Sequence, residues 1–166
     1  MKKFWLILSA LMVIACAGLY AQYSFSPDRM LVIRDFKTGK IYVEYPVKVG
    51  DKLFFGWIHS WERIRWHEYY HIESNNTLVL DTICFPAFGA GIPENKGKRV
   101  RVENGMIYME GIDQVFQQFD WINSHLATRD IKVNDMLLTS GRLLPEHTRL
   151  TLKIERRGLF HGRKKD

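Results

Sequence analysis

The sequence predicts an all-β protein: one small antiparallel β-sandwich or partly closed barrel, placed after an N-terminal signal or anchor segment. Three observations lead there. Short runs rich in Val, Ile, Tyr, Phe and Thr recur along the chain, separated by turn residues. No long stretch has clean helical periodicity, and only residues 112–119 form a short run that reads either way. An uncharged apolar segment follows Met1-Lys2-Lys3, which is the pattern of export.

The export segment must be set aside before the fold is read. Phe4 to Ile14 is apolar, and Ala15-Cys16-Ala17-Gly18 then brings small residues. An apolar run of this length suits a signal peptide better than a membrane span, which needs about 20 residues. Counting on through Tyr20 gives a longer stretch, so an uncleaved anchor stays open as the alternative. The lysines stay in the cytoplasm under the positive-inside bias, and everything after Ala21 is sent outward. Val13-Ile14-Ala15-Cys16 also resembles a lipobox, which makes Cys16 a candidate lipidation site. The expected organisation is a signal peptide or anchor over 1–21, a linker over 22–29, a β domain over 30–156 and a basic tail over 157–166.

Taken in order, residues 30–34 and 41–45 flank Lys37-Thr38-Gly39 as a hairpin-like pair. Residues 52–59 and 64–72 flank a turn at Trp61-Glu62-Arg63, and Asn75-Asn76 turns the chain into 77–85. Residues 98–102 and 106–110 are joined through Glu103-Asn104-Gly105, where Asn-Gly favours a hairpin. Later strands are expected over 119–123, 131–138 and 149–156.

About 145 residues remain after the export segment, enough for one domain that buries roughly 68–70% of its unfolded surface. Of two cysteines, Cys16 lies in the export segment, so Cys84 has no partner for a structural disulfide. The net charge of +6 falls to +4 without Lys2 and Lys3. Much of the rest lies in the tail, where Arg163, Lys164 and Lys165 could meet anionic headgroups or simply be solvated. An exported chain is not expected to bind nucleic acid.

His67-Glu68-Tyr69-Tyr70-His71 spells the H-E-x-x-H of zinc hydrolases. That chemistry needs a helix, on which residues i and i+4 share one face. The segment is instead rich in aromatic and β-branched residues. On a strand, four residues span about 13 Å, while each ligand must sit about 2 Å from zinc. No cofactor or metal is therefore expected, and no catalytic residue is assigned. Alternation puts Ile64, Trp66, Tyr70 and Ile72 on one face with Glu68 among them, where a carboxylate needs partners. If His59 lies opposite Trp66, then His59 and Glu68 become diagonal neighbours. His59, Glu62 and Glu68 are thus read as a binding or structural polar cluster. Adjacent His59 and Ser60 point to opposite faces, which removes a nucleophile–base reading.

Three features together resemble the bacterial family called domain of unknown function 1850. One is His59-Ser60-Trp61-Glu62, similar to the family's His-Ser-x-Glu. Another is Glu68, at the family's acidic position in the following strand. The third is Phe88-Gly89-Ala90-Gly91-Ile92-Pro93, similar to its F/Y-G-A-G-L/I-P segment. The resemblance runs from about Leu31 to Glu155; Trp61 departs from it, standing where a small aliphatic residue is usual. Family members are typically encoded beside TRAP transporters of the TAXI type. The resemblance implies an exported accessory protein whose partner is a TRAP membrane subunit or solute receptor, associated with the membrane through its N-terminus.

The loop of Gly89, Gly91 and Pro93 reads either as an anion-binding nest or as a strained corner between strands. Trp61 at a hairpin tip and Tyr69 on the outer face offer a surface for a partner, or for a sugar or organic acid. The expected function is a non-enzymatic accessory or interaction domain. The alternatives are a ligand-binding module and a zinc hydrolase through His67 and His71.

Overall fold

A computed structural model describes residue 12 and residues 28–89, 91, 93 and 95–156. The rest of residues 1–21, with the candidate lipidation site Cys16, most of residues 22–29 and all of residues 157–166 lie outside the described residues. The domain is a sandwich of two antiparallel sheets, and it does not close into a barrel.

The smaller sheet joins the two ends of the domain. Its strands are β1 (Arg29–Asp35), β2 (Ile41–Val47), β8 (Gln118–Ile122) and β11 (Arg149–Arg156), in the order β2-β1-β11-β8. β1 and β11 pair along their full lengths, from Arg29 opposite Arg156 to Asp35 opposite Leu150. The larger sheet has seven strands in the order β10-β9-β3-β4-β5-β7-β6. These are β3 (Lys52–Ile58), β4 (Arg65–Ile72), β5 (Leu78–Phe85), β6 (Arg99–Glu103), β7 (Met106–Phe116), β9 (Thr128–Val133) and β10 (Met136–Ser140). Leu31, Ile33, Leu150 and Leu152 of the small sheet are fully buried, as are Ile72, Leu78, Met109 and Ile131 of the large one. Together they form one core cluster, the dominant favourable term in holding two sheets face to face.

Residues 112–119, which the sequence reads either way, form no helix: β7 continues to Phe116 and β8 begins at Gln118, with φ > 0 at Gly111 and Asp113. One sequence expectation needs correction. The run expected as one strand over 131–138 is a hairpin. Asn134 and Asp135 both adopt φ > 0, at 47° and 67°, the requirement of the tight turn that matches strand twist. A turn without glycine gave only a weak signal.

Asn123 ends β8 on the inside. Its side chain is completely buried, and Nδ2 donates to the carbonyls of Gly141 (2.9 Å), Pro145 (3.0 Å) and Leu144 (3.2 Å). It therefore pins the 3₁₀ turn Gly141–Leu143, through which the chain crosses back to the small sheet. Asn123→Ala is expected to cost about 2 kcal/mol in urea unfolding, because the carbonyls of Gly141, Leu144 and Pro145 each lose one donor. A loss below about 0.5 kcal/mol, typical of an unremarkable surface change, would show that those carbonyls find other donors.

Candidate functional site

The hairpin between β3 and β4 has a four-residue loop. The amide of His59 donates to the Ile64 carbonyl and the amide of Arg63 to the His59 carbonyl, each at 2.8 Å. Arg63 takes φ 54°, the left-handed residue that closes such a loop. Trp57 consequently lies opposite Trp66, and Phe55 opposite Glu68. The expected pairing of His59 with Trp66 is off by two residues. A two-residue slip keeps every side chain on its face, so Glu68 does sit on the inner face with Trp66, Tyr70 and Ile72.

The slip changes the partners of Glu68. No bond joins it to His59. Oε1 accepts from the indole N–H of Trp66 (3.1 Å) and of Trp57 (3.3 Å), and Oε2 accepts from the Tyr70 hydroxyl at 2.6 Å. The Tyr70 phenol is pushed far above its ordinary pKa, first by burial and then by the Glu68 charge. This carboxylate is therefore held by uncharged donors, as a half-buried carboxylate requires.

His59 joins the cluster through its ring. It stacks at a tilt on Trp57 (5.6 Å) and Trp66 (5.7 Å), whose indoles are 5.5 Å apart. Its Nδ1 accepts the Glu62 amide at 3.4 Å, which assigns the proton of a neutral ring to Nε2. From Trp66 the aromatic chain continues to Phe85, stacked at 5.0 Å, and then to Phe88 at 5.7 Å. Phe88 opens the second motif.

The two motifs meet at this corner. A Cβ on Gly89 would fall 2.5 Å from Cδ of Glu62, so the missing side chain leaves the space that the carboxylate fills. A Cβ on Gly91, which has φ 79°, would lie 3.6 Å from Cε1 of His59. His59, Glu62, Gly89 and Gly91 thus share one site, with Pro93 half-buried nearby in sequence. Glu68 touches it only through the two indoles. Trp61, at the loop tip, is 77% exposed, and Phe88 is 55% exposed. Tyr69 is on the outer face of β4, edge-on to Phe54 at 5.3 Å, and shares no ring contact with Trp61.

A family model described as Domain of unknown function (DUF1850) matches residues 54–138. The chain belongs to this family. The DUF1850 match spans part of β3 through most of β10 and includes both motifs of the corner. It is shorter than the resemblance over residues 31–155, since β1, β2 and β11 lie outside it. No curated protein and no solved structure matches the chain.

Sequence reasoning missed a cavity of about 290 Å³ beside Glu68, between the sheets. Phe55 and Trp57 line it from the large sheet, and Phe119 and Trp121 from the small one. The Trp121 indole N–H is buried there without a hydrogen-bond partner among the described residues. No local motif signals such a space, because its walls come from strands far apart in sequence.

The H-E-x-x-H segment is strand β4, so the shared helical face that zinc chemistry needs does not exist. His71 is committed elsewhere. Its Nδ1 lies 2.8 Å from Asp81 Oδ2 and its Nε2 3.2 Å from Glu73. Burial acts to lower its pKa, but the hydrogen bonds and charge from Asp81 and Glu73 outweigh it, and the net shift is upward from 6.5. A raised folded-state pKa contributes stability that is complete below the unfolded value and lost as pH rises through the folded one. Asp81→Asn is therefore expected to lower the melting temperature at acidic pH and to have little effect at alkaline pH. An equal loss at both would show that His71 adds nothing through its charge.

Proposed function

We propose that this chain is a non-enzymatic, extracytoplasmic interaction domain, held at the membrane by its N-terminal segment and serving a TRAP-type solute transporter. The single observation that carries this reading is the convergence of the two family motifs under two exposed aromatic side chains, Trp61 and Phe88. Trp is enriched among the residues that anchor protein interfaces, and exposed apolar side chains grouped together mark interaction sites. The loop beneath it is held by backbone hydrogen bonds and stacked rings, so little ordering entropy is lost on docking. The transporter as partner comes from the family resemblance, in which such proteins are encoded beside TAXI-type systems.

A second reading, a ligand-binding module, draws support from the inter-sheet cavity and not from Trp61 with Tyr69. Four aromatic rings around a carboxylate favour a sugar face or a cationic group. An organic acid would meet like charge at Glu68.

Affinity purification of the tagged full chain from cross-linked host membranes is expected to retain a TRAP membrane subunit or its solute receptor. Trp61→Ala should reduce that recovery by about tenfold or more, as loss of an interface anchor does, with the melting temperature unchanged. Equal recovery with Trp61→Ala would remove the corner as the contact. No recovery, from membranes shown to contain the transporter, would remove the accessory role.

A further inference from the structure

The outer face of the large sheet carries a second concavity, on the other side of β3 from the inter-sheet cavity, with Trp57 lining both. It is a groove of about 380 Å³ between β4 and β9, with β3 as its floor. Gly56 forms the centre of that floor, directly opposite His67. A Cβ at Gly56 would come within 3.1 Å of the Phe54 ring and 3.4 Å of the Asp130 carbonyl, so any side chain there would crowd the groove. Arg65 and His67 wall one side, and Arg129, Asp130 and Lys132 the other.

The charges on these walls do not balance. Among the described residues Lys132 has one counter-ion, Asp130 at 3.6 Å, and its ammonium also lies 5.2 Å from the centre of the Phe54 ring. Arg65 and Arg129 have no ion pair among the described residues. Isolated arginines on a sheet surface are ordinary, but here three cations and one carboxylate converge on a concave floor. The His67 ring stands edge-on to Phe54 at 5.1 Å and is half-buried. Its pKa is held below 6.5 by burial first, then by the charges of Arg65 and Lys132. The histidine therefore senses an electropositive, partly dehydrated space.

We propose that this groove binds a small oxyanion, a dicarboxylate or a phosphate group, between Arg65 of β4 and Arg129 and Lys132 of β9. The two guanidinium groups offer paired donors that match the geometry of carboxylate and phosphate. Lys132 adds a point charge, and protonated His67 adds a ring N–H. The site is independent of the transporter reading and of the Trp61 corner. Its anion can come from a free solute or from the headgroup of an anionic lipid, since both present the same oxygens.

Binding should tighten as pH falls through the His67 pKa, because the anion offsets the positive field that keeps the ring neutral. The other groups around the ring do not reproduce this. Arg65 and Tyr69 flank it on β4, Cys84 lies across on β5, and Arg129, Asp130 and Lys132 face it from β9. The Tyr69 phenol and the Cys84 thiol are both pushed upward, by burial first, so neither gains charge near neutral pH.

The test is an NMR titration of the His67 ring in the full chain, carried in phosphatidylcholine nanodiscs, with succinate and with inorganic phosphate. Nanodiscs doped with phosphatidylglycerol form a third arm. Saturable movement of the His67 resonances with a rise in its pKa is expected. Arg65→Ala and Arg129→Ala should each weaken the response by about tenfold, the loss of one charge-assisted hydrogen bond. His67→Gln should retain binding by calorimetry and lose its pH dependence. A response to succinate or phosphate supports a free solute; a response confined to the doped discs supports the same site with a lipid headgroup. The proposal is overturned if none of the three moves His67, or if the double variant Arg65→Ala/Arg129→Ala responds as the parent does.

Discussion

Glu68 places a carboxylate between the two sheets, where it takes hydrogen bonds from two indole N–H groups and one phenol O–H. Leaving such a group without partners would cost several kcal/mol, so its neighbours are constrained by it. Trp66 and Tyr70 reach it from two residues away on the same strand face. Trp57 reaches it from β3, in a register where Trp57 faces Trp66 directly. Slipping β3 by one residue would turn Trp57 to the outer face and withdraw its donor. The carboxylate and the core thus demand the same strand pairing. The two indoles aligned by Glu68 then carry His59, and through Phe85 they reach Phe88.

The fold class and most strands were legible in the sequence, because a strand with one buried face repeats every second residue. The inner-face position of Glu68 was legible for the same reason. What periodicity fixes is the face, and the register is left to the loop. The loop after His59 closes through a left-handed Arg63, and no glycine or asparagine marks that position. The expected loop was accordingly two residues too long, and Glu68 was given His59 in place of Trp57 and Trp66 as its partner. The Asn134-Asp135 turn was missed for lack of the same signal, whereas Asn104-Gly105 was read correctly. The role of Asn123 and the inter-sheet cavity had no local signature at all. Both depend on which distant strands face each other.

The sandwich divides its surfaces. Its core is supplied by both sheets, but the family match leaves out β1, β2 and β11 and covers most of the large sheet with its corner. Gly89 leaves the space for the Glu62 side chain, and Gly91 supplies a φ of 79° beside His59. The close approach at the first and the left-handed backbone at the second explain why this motif needs glycine at both positions. Trp61 is exposed above this packed base and has no core role. The basic groove lies on the outer face of the same sheet.

The measurement that tests the central claim most directly is hydrogen exchange in Glu68→Ala, followed residue by residue. If Glu68 organises the corner through Trp57 and Trp66, the amides of His59 and Arg63 should lose protection first. Amides of the β1–β11 ladder should retain theirs relative to global stability. Uniform loss across both sheets, or an unchanged corner, would contradict the account and reduce Glu68 to one more satisfied side chain in the core.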